Sequence, residues 1–575
     1  MVGQAPINYV PFLYEPEAYI NVIKHPYEVI VIGSGATGGV AALTLAEAGV
    51  RVLVVEAGPQ LTAQEALGSE PKNTVNRISG IITGQKRIQA QHPGYWKANP
   101  LLYADEKDNA YTHPQENPYL WTQGKQVGGK SLTWGGITLR LSENELKASK
   151  QDGYGPDWPI EYSELAPHYS ALEKRLRIHG KRDGLTQLPD GEFIDPLPFT
   201  SSEKFFGKTI KSSHGYPFIH SRGFGPHQPI RSNPWPRSSS PGSTLRSAIA
   251  TGKVEILSEH TAERITMHRG QDAAKGILVV NHRNGVRTEL DSSLIVICAS
   301  TIQSVRLLLN SERNQHHDGF IDPSGQLGCN LMDHISICRF FALSKSKEND
   351  SFQNSKKNTL SGAGSFFIPF GTKFKNTSKI NFQRGYGLWG GIDRFDPPGW
   401  LKQIPESNIG FLIGHGEVLP SHQNKVTLSS KLDRLGIPLP HINCKWGENE
   451  KKMAEHMKIT IQETITSAGG KVLPLKKLIK LPFIDSFLDN AVALKEEAPP
   501  PGYYIHEVGG AHMGEKEEDS VLDRFNRLWR CPNVLVVDGA CWPTSGWQSP
   551  TLTMMAITRR SCLEALRHQH VQKGH

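Results

Sequence analysis

A glycine-rich segment near the start of the chain constrains the fold more than any other stretch. Residues 27–59 read YEVIVIGSGATGGVAALTLAEAGVRVLVVEAGP, in which two apolar, β-branched runs flank a helical pattern. Gly33, Gly35 and Gly38 open that helix, and their spacing is typical of a β-α-β unit that binds a dinucleotide. The segment therefore predicts a Rossmann-like domain with a parallel sheet.

Each residue of the motif has its own physical task. Gly33 allows the tight turn, Gly35 lets the backbone approach a pyrophosphate, and Gly38 lets helix and strand pack closely. Glu56 ends the second strand, where its carboxylate can bond the hydroxyls of an adenosine ribose. A glycine motif by itself also occurs as an ordinary turn, but here the strand, the helix and the acid are all in place. We therefore expect a dinucleotide site.

Composition excludes several classes of protein. The 575 residues, of which 38% are hydrophobic and 21% charged, predict a globular protein of two or more domains. The 64 basic and 56 acidic residues are scattered without a basic run, so nucleic-acid binding is not expected. No transmembrane stretch and no apolar leader within residues 1–26 can be found, and the cysteines lack metal-binding spacing. We expect a cytoplasmic protein with reduced cysteines and no metal.

Short apolar runs later in the chain predict further strands. Those at residues 254–257, 276–281 and 294–299 are expected to extend the dinucleotide-binding half. Apolar runs separated by turn signals between residues 335 and 428 are typical of an antiparallel sheet. They indicate a second domain, beside which residues 449–468 predict an amphipathic helix.

These patterns predict an α/β protein, α+β overall, in which a Rossmann-like cofactor domain is interleaved with a substrate domain on an antiparallel sheet. We expect the cofactor domain to comprise residues 25–330 and 500–568, and the substrate domain to comprise residues 331–499. Regions 60–120 and 181–243 are polar and rich in proline or serine, and we interpret them as loop excursions of the cofactor domain.

Four separated motifs together resemble the glucose-methanol-choline (GMC) oxidoreductases, flavoproteins that oxidise alcohols and sugars with FAD. The motifs are GSGATGG at 33–39, VGGKSLTWGG at 127–136, GCNLMDH at 328–334, and HEVGGAHMG at 506–514 followed by VVDGACWPTSGWQSPTLTMMA. The resemblance spans about residues 27–567. Within the family, the chain looks most like the branch of glucoside 3-dehydrogenases, pyranose oxidases and gluconate dehydrogenase flavoprotein subunits. That branch acts on carbohydrates.

The resemblance implies the catalytic residues. His506 matches the histidine that takes the alcohol proton, a role that suits an imidazole because its pKa lies near neutrality. Relatives carry His or Asn at the second position, where this chain has Ser549. A serine hydroxyl can still contact the substrate hydroxyl, and Gln548 can supply an amide contact. Ser549 is equally well explained as the N-cap of the helix that follows it.

The resemblance also implies how FAD is bound. Asp538 and Gly539 match the stretch near the ribityl and pyrophosphate groups, and the helix that begins at Pro550 and Thr551 directs its positive end at the flavin. Backbone contacts are expected from Gly128, Gly129, Ser131 and Gly135. Pyranose oxidases carry a flavin-linked histidine where this chain has Thr133, so FAD is expected to be bound non-covalently. Asp333 and His334 are interpreted as structural.

The implied activity is oxidation of a secondary CH–OH of a sugar or glycoside to a ketone, by hydride transfer to flavin N5. A dehydrogenase is expected rather than an oxidase, although the motifs do not separate the two. Its electron acceptor is unknown, with a small partner subunit or a cytochrome as candidates, and export together with such a partner stays open. Three alternatives remain: another alcohol, such as a polyol or a choline-like substrate, a redox-inert hydroxynitrile lyase, and a flavin-bound partner protein without activity.

Overall fold

Two sheets of six strands each, one largely parallel and one antiparallel, form the two halves of the structure. The computed structural model describes residues 21–23, 27–86, 98–312, 316, 319–344, 360–370, 380–394, 407–474, 477 and 497–573. A separate four-stranded sheet and a two-stranded hairpin complete the strands of this described part.

The strands are β1 (Asn21–Ile23), β2 (Val29–Ile32), β3 (Val52–Val55), β4 (Ile219–His220), β5 (Val254–Leu257), β6 (His260–Met267), β7 (Ala274–Asn281), β8 (Arg287–Asp291), β9 (Leu294–Ile297), β10 (Ile335–Ser344), β11 (Phe366–Ile368), β12 (Tyr386–Ile392), β13 (Ser407–Gly416), β14 (Lys425–Leu432), β15 (Pro438–Asn443), β16 (Lys471–Leu473), β17 (Arg527–Leu528) and β18 (Cys531–Val536). The α-helices are α1 (Ala36–Glu47), α2 (Ala63–Leu67), α3 (Glu70–Thr83), α4 (Glu143–Leu146), α5 (Ala148–Asp152), α6 (Tyr162–Leu176), α7 (Ser201–His214), α8 (Thr244–Ala250), α9 (Thr301–Leu309), α10 (Glu448–Ser467) and α11 (Thr551–Lys573). Short 3₁₀ helices lie at Pro100–Leu102, Gly129–Leu132 and Gly539–Cys541.

The largely parallel sheet has the order β17-β18-β9-β2-β3-β5, and only β17 runs antiparallel to its neighbour. Strands β2, β3 and β9 are buried along their whole length, as expected for β-branched strands covered on both faces. Helix α1 connects β2 to β3 and packs against α8 and α11. The β-α-β unit predicted from the glycine motif is thus confirmed, and β5 and β9 join it as expected.

The antiparallel sheet has the order β16-β10-β13-β12-β11-β4. Helix α10 packs against β10 and β13, and it buries the predicted apolar stripe of Met453, Met457, Ile461 and Ile465. The sheet is therefore sealed on one face by a helix. Its other face looks onto the cavity described below.

The structure differs from the sequence expectation in three places. Region 181–243 was expected to be a loop excursion, but it contains α7 and contributes β4 to the antiparallel sheet. A capping box between Thr200 and Glu203 starts α7, and this Thr-x-x-Glu signal stands in the sequence. Region 60–120 likewise contains α2 and α3. The third difference is that β7 and β14 belong to the two small sheets, because each pairs locally with its sequence neighbours.

All seven cysteines are free, and six of them are buried. No helix within the described residues is both long and apolar enough to cross a membrane. Residues 1–26, on which the expectation of a missing leader rests, lie outside the described residues except for β1.

Candidate functional site

One cavity of about 470 Å³ is lined by the carboxyl ends of β2 and β3 and by strands of the antiparallel sheet. Ligands of open α/β sheets bind at the carboxyl ends of the strands, so this is the expected place for a site. The sequence-predicted residues in its lining are Gly33, Gly35, Glu56, Gly129, Ser131, Gly135, His506, Asp538, Gly539, Ser549, Pro550 and Thr551. The predicted residues Gly38, Gly128 and Gln548 are not in the lining.

The three glycines of the first motif have the geometry that a dinucleotide cradle needs. Gly33 has a φ of +98°, and a Cβ there would lie 2.3 Å from the carbonyl oxygen of Cys298. A Cβ on Gly38 would lie 1.9 Å from the carbonyl oxygen of Gly33, so this glycine serves close packing within the motif. A Cβ on Gly35 would meet nothing closer than 4.0 Å. The cavity is therefore open above Gly35, at the uncapped N-terminus of α1, where phosphate is favoured.

Glu56 is buried at the end of β3 and is held by hydrogen bonds on both carboxylate oxygens. Its Oε2 accepts from the backbone N–H of Ser34 at 3.1 Å and from the Ser34 hydroxyl at 2.6 Å. Its Oε1 accepts from the Gly58 N–H at 2.9 Å. Burial raises the pKa of Glu56, against the lowering effect of these hydrogen bonds. The carboxylate is thus fixed in orientation at the edge of the cavity.

Serine hydroxyls connect the second glycine motif to the first. The Gly128 N–H donates to the Ser34 hydroxyl at 2.9 Å, and the Ser131 hydroxyl donates to the Gly128 carbonyl oxygen at 2.5 Å. Ser240 donates its N–H to the Ser131 hydroxyl and its own hydroxyl to the Ser34 carbonyl oxygen. Ser34 and Ser240 could not be identified from the sequence, because nothing in the local pattern shows that the Ser240 hydroxyl meets the Ser34 carbonyl oxygen across 206 residues.

A second acidic group and a helix terminus lie further along the cavity. The Asp538 carboxylate accepts from the Ser304 hydroxyl at 2.5 Å and from the Ala540 N–H at 3.0 Å, and burial raises its pKa. Helix α11 begins at Thr551, and its first residues line the cavity. The N-terminus of this 23-residue helix places a positive partial charge there.

A partly buried ion pair, which no pattern in the sequence indicates, borders the same cavity. Lys130 Nζ lies 2.9 Å from Glu507 Oε2, and the Glu507 side chain is only 3% exposed. Within the described residues, Glu507 Oε1 has no hydrogen-bond partner. Glu507, which follows His506 in the chain, therefore has a cation on one carboxylate oxygen and an unused acceptor on the other.

Asp333 organises the segment that carries His506. Its Oδ1 accepts from the backbone N–H groups of His334 and His506, both at 2.8 Å. Its Oδ2 accepts from the backbone N–H groups of Gly502 at 2.9 Å and Tyr504 at 3.3 Å. Burial, reinforced by the charge of Glu507, raises the pKa of Asp333 to about 7. One fully buried carboxyl group thus fixes the backbone on both sides of Ile505, whose φ of +63° is strained for a β-branched residue.

A chain of hydrogen bonds assigns the proton positions of His334 and His506. His334 Nε2 lies 2.5 Å from the carbonyl oxygen of Gly546, which can only accept, so Nε2 carries the proton. Burial lowers the pKa of His334 to about 4, so its Nδ1 is an acceptor. That Nδ1 lies 2.9 Å from His506 Nδ1, which must therefore donate. His506 is left with an unprotonated Nε2, for which the described residues provide no partner, and burial holds its pKa well below its usual range.

Ser549 and Gln548 are placed differently. Ser549 is 6% exposed and lines the cavity, and its hydroxyl makes no hydrogen bond within the described part of the chain. The N-cap alternative has no support among the described contacts, because within them the Ser549 hydroxyl accepts no hydrogen bond from an N–H of α11. Gln548 is fully buried, and its Nε2 donates to the carbonyl oxygen of Gln187 at 3.3 Å. The structure does not bring its amide to the cavity.

Comparison with known proteins places this geometry in a family. Two family models, both described as GMC oxidoreductase, match the chain, the N-terminal one over residues 27–336 and the C-terminal one over residues 420–558. Together they cover most of the chain and include the glycine motif, His506 and Ser549.

Curated relatives match nearly the whole chain at low identity. A 2-methyl-1,2-propanediol dehydrogenase from Mycolicibacterium austroafricanum is 25% identical over 93% of this chain and 94% of its own length. The fructose dehydrogenase large subunit from Gluconobacter japonicus is 24% identical over 93% of this chain and 96% of its own length. The crystal structure of pyridoxine 4-oxidase from Mesorbium loti superposes with a TM-score of 0.59 at 16% identity, covering 94% of this chain and 99% of that chain. This last likeness concerns the fold alone.

The Asp333 arrangement predicts the effect of Asp333→Asn. An amide has one acceptor oxygen for the four N–H groups, so two of them lose their partner at a cost of roughly 1–3 kcal/mol each. We expect a lower melting temperature together with faster hydrogen exchange in residues 502–506. Asp523→Asn is the matched control. Asp523 also accepts backbone hydrogen bonds, from the N–H groups of Phe525 and Arg527, but it lies outside the cavity lining. Unchanged exchange at residues 502–506 in Asp333→Asn would show that Asp333 does not hold this segment.

Proposed function

Since the chain belongs to the GMC oxidoreductase family, and is therefore an FAD-dependent oxidoreductase that acts on CH–OH groups, we propose that it oxidises a secondary hydroxyl of a sugar or glycoside to a ketone, with His506 as the base. The observation that carries this proposal is the Nδ1 contact that leaves His506 Nε2 unprotonated, on a residue that lines the cavity.

The residues around the cavity fit FAD. The space above Gly35, where a Cβ would meet nothing closer than 4.0 Å, and the uncapped N-terminus of α1 suit the pyrophosphate. Glu56 presents a fixed carboxylate for the adenosine ribose, as the acid at this position of the motif does. Thr133 lines the cavity and has no nucleophile of the kind that links a flavin, so we propose non-covalent binding.

His506 is suited to removing the hydroxyl proton. In the proposed step, the substrate O–H transfers its proton to His506 Nε2 while the carbinol C–H leaves as hydride, so that C=O forms and the alcohol loses two electrons and two hydrogens. When bound, FAD supplies the acceptor for that hydride. Burial keeps the imidazole neutral at pH 7, so Nε2 is available as a base without a prior deprotonation. Throughout this step, the proton on His506 Nδ1 stays in its hydrogen bond to His334 Nδ1.

Ser549 is proposed to contact the reacting hydroxyl. Its hydroxyl is a donor and an acceptor, and in the described residues nothing else uses it. We do not assign Gln548 to substrate, because its amide is bonded to Gln187 outside the cavity lining. The start of α11 supports the same end of the cavity, since its positive partial charge favours a site that takes up a hydride.

The sugar assignment is supported by the relative that is a fructose dehydrogenase, and a dehydrogenase is proposed because both curated relatives above bear that name. A second candidate is a small non-sugar alcohol, which the 2-methyl-1,2-propanediol dehydrogenase favours. The electron acceptor is proposed to be a partner protein, and the relative described as a large subunit supports this.

The first test is anaerobic mixing of the flavin-loaded protein with monosaccharides, glycosides, polyols and choline. We expect sugars or glycosides to bleach the flavin absorbance and His506→Ala to bind FAD but reduce it roughly 10²- to 10⁴-fold more slowly, because the base is lost. His512→Ala is the matched control, since His512 is buried nearby but lies outside the cavity lining. Near-normal reduction by His506→Ala would remove the proposed base, and a flavin that no alcohol reduces would favour a lyase or a partner protein.

Ser549→Ala tests the substrate contact. Loss of one hydrogen bond to the substrate is expected to slow flavin reduction up to about tenfold, with no change in melting temperature. Ser545→Ala should lower the melting temperature and leave flavin reduction unchanged. The Ser545 hydroxyl donates to the Val418 carbonyl oxygen at 2.9 Å and accepts from the Val418 N–H at 3.0 Å. If Ser549→Ala instead lowers the melting temperature and leaves the kinetics unchanged, the hydroxyl acts as a helix cap.

A further inference from the structure

One face of the antiparallel sheet forms part of the cavity wall. Residues that pair directly across neighbouring strands point to the same face, and such pairs recur every second residue. Cys338 on β10 pairs with Ile413 on β13, which pairs with Trp389 on β12. Two residues further along β10, Phe340 pairs with Phe411. Ser336 lies on the same face of β10, two residues before Cys338. All six residues line the cavity.

The end of this wall at Ser336 is polar. Ser336 is 4% exposed, and its hydroxyl makes no hydrogen bond to a described residue. Ser549 is 6% exposed, and its hydroxyl likewise makes no hydrogen bond to a described residue. Both residues are more than nine-tenths buried and line the cavity, and within the described ranges neither hydroxyl has a protein partner, so both hydroxyls are free to bond a ligand in the cavity. Together with Nε2 of His506, they give the cavity lining three groups that can form hydrogen bonds with the hydroxyls of a sugar.

The next row is apolar and is partly exposed on the cavity side, and Phe411 in the row beyond it lines the cavity although it is only 4% exposed. Cys338, Ile413 and Trp389 are each only half-buried, although they lie on central strands of the sheet. The opposite face is sealed: a Cβ on Gly414 would lie 2.3 Å from the sulfur of Met457 on α10. Trp389 donates its indole N–H to the Tyr504 hydroxyl at 2.8 Å, so what it can offer a ligand is its ring. The uncovered area therefore accepts apolar surface.

The wall carries no charge among its described residues, since every charged residue of the cavity lining lies outside β10, β12 and β13. A carboxylate or ammonium group placed on it would lose its hydration without gaining a partner. Rows two residues apart are about 7 Å apart along a strand, so the polar row and the row of Phe411 are separated by about 14 Å. A single sugar ring held at the polar end does not reach that far.

We infer that the substrate is a neutral glycoside with an apolar aglycone, whose sugar hydroxyls meet Ser336, Ser549 and His506 and whose aglycone lies over Ile413, Trp389 and Phe411. This inference rests on the proposed function and makes it more specific. The sugar end supplies the reacting CH–OH, and the apolar wall selects what is attached to it.

The test uses the flavin-loaded protein, mixed anaerobically with glucose and galactose and with their methyl, butyl, hexyl and octyl glycosides. The rate of flavin reduction, or the change in flavin absorbance on binding, is measured at increasing concentrations of each compound. The dissociation constant is taken from that concentration dependence. Each methylene that reaches the wall should lower this constant up to about fourfold. Ile413→Thr puts a hydroxyl into the wall, and the dissociation constant should then change less with the length of the alkyl chain. Ile459→Thr is the matched control, since Ile459 is 55% exposed on α10, and it should leave the dependence intact.

The outcomes separate this inference from the proposed function. Free hexoses that bind and react as well as the octyl glycosides would overturn the inference and leave the sugar oxidation standing. An equal chain-length dependence in the native protein and in Ile413→Thr would overturn the assignment of the wall. Reduction by 1-octanol or cyclohexanol, which are added as controls, with no response to any sugar or glycoside would overturn both.

Discussion

The buried carboxyl group of Asp333 accepts four backbone hydrogen bonds, and the geometry of the site depends on them. Asp333 precedes β10 of the antiparallel sheet, and the N–H groups of Gly502, Tyr504 and His506 come from a segment at least 169 residues away. The contact therefore joins the start of the antiparallel sheet to the segment that carries His506, the proposed base. It also stabilises the left-handed backbone at Ile505, which a β-branched residue would not adopt without such support.

Burial decides the electrostatics of this region. It raises the pKa of Asp333 and lowers the pKa of His334 and His506, so that the two imidazoles are neutral near pH 7. Neutral imidazoles can each carry one proton, and the carbonyl oxygen of Gly546 then settles where both protons lie. The lone pair that this leaves on His506 follows from the position of one backbone carbonyl group. His334 is thus more than a structural residue, because it fixes the tautomer of its neighbour.

The parts of the fold that depend on local pattern could be predicted from the sequence. The β-α-β unit follows from glycine spacing and two apolar runs, and helix α10 follows from its periodic apolar stripe. Helix α7 was missed although its capping box was visible, because the region 181–243 around it is rich in proline, glycine and serine and was interpreted as loop as a whole. Motif resemblance identified His506 and Ser549 as candidates, and both line the cavity.

What the sequence could not predict are contacts between distant segments. Ser34, His334 and the apolar wall around Ile413 become visible only when strands that are far apart in sequence lie side by side. The same reason explains Gln548: two neighbouring side chains on one loop point to different places, and sequence spacing does not show which one enters the cavity.

We propose that His506 is held as a neutral base with Nε2 unprotonated, and its tautomer can be measured directly. Nitrogen-15 NMR of the protein labelled at the histidine rings, with His506→Ala used to assign the signals, reports the protonation of each ring nitrogen at pH 7. We expect His506 Nδ1 to carry the proton and Nε2 to have none. A proton on Nε2, in either the other tautomer or the imidazolium form, would contradict it.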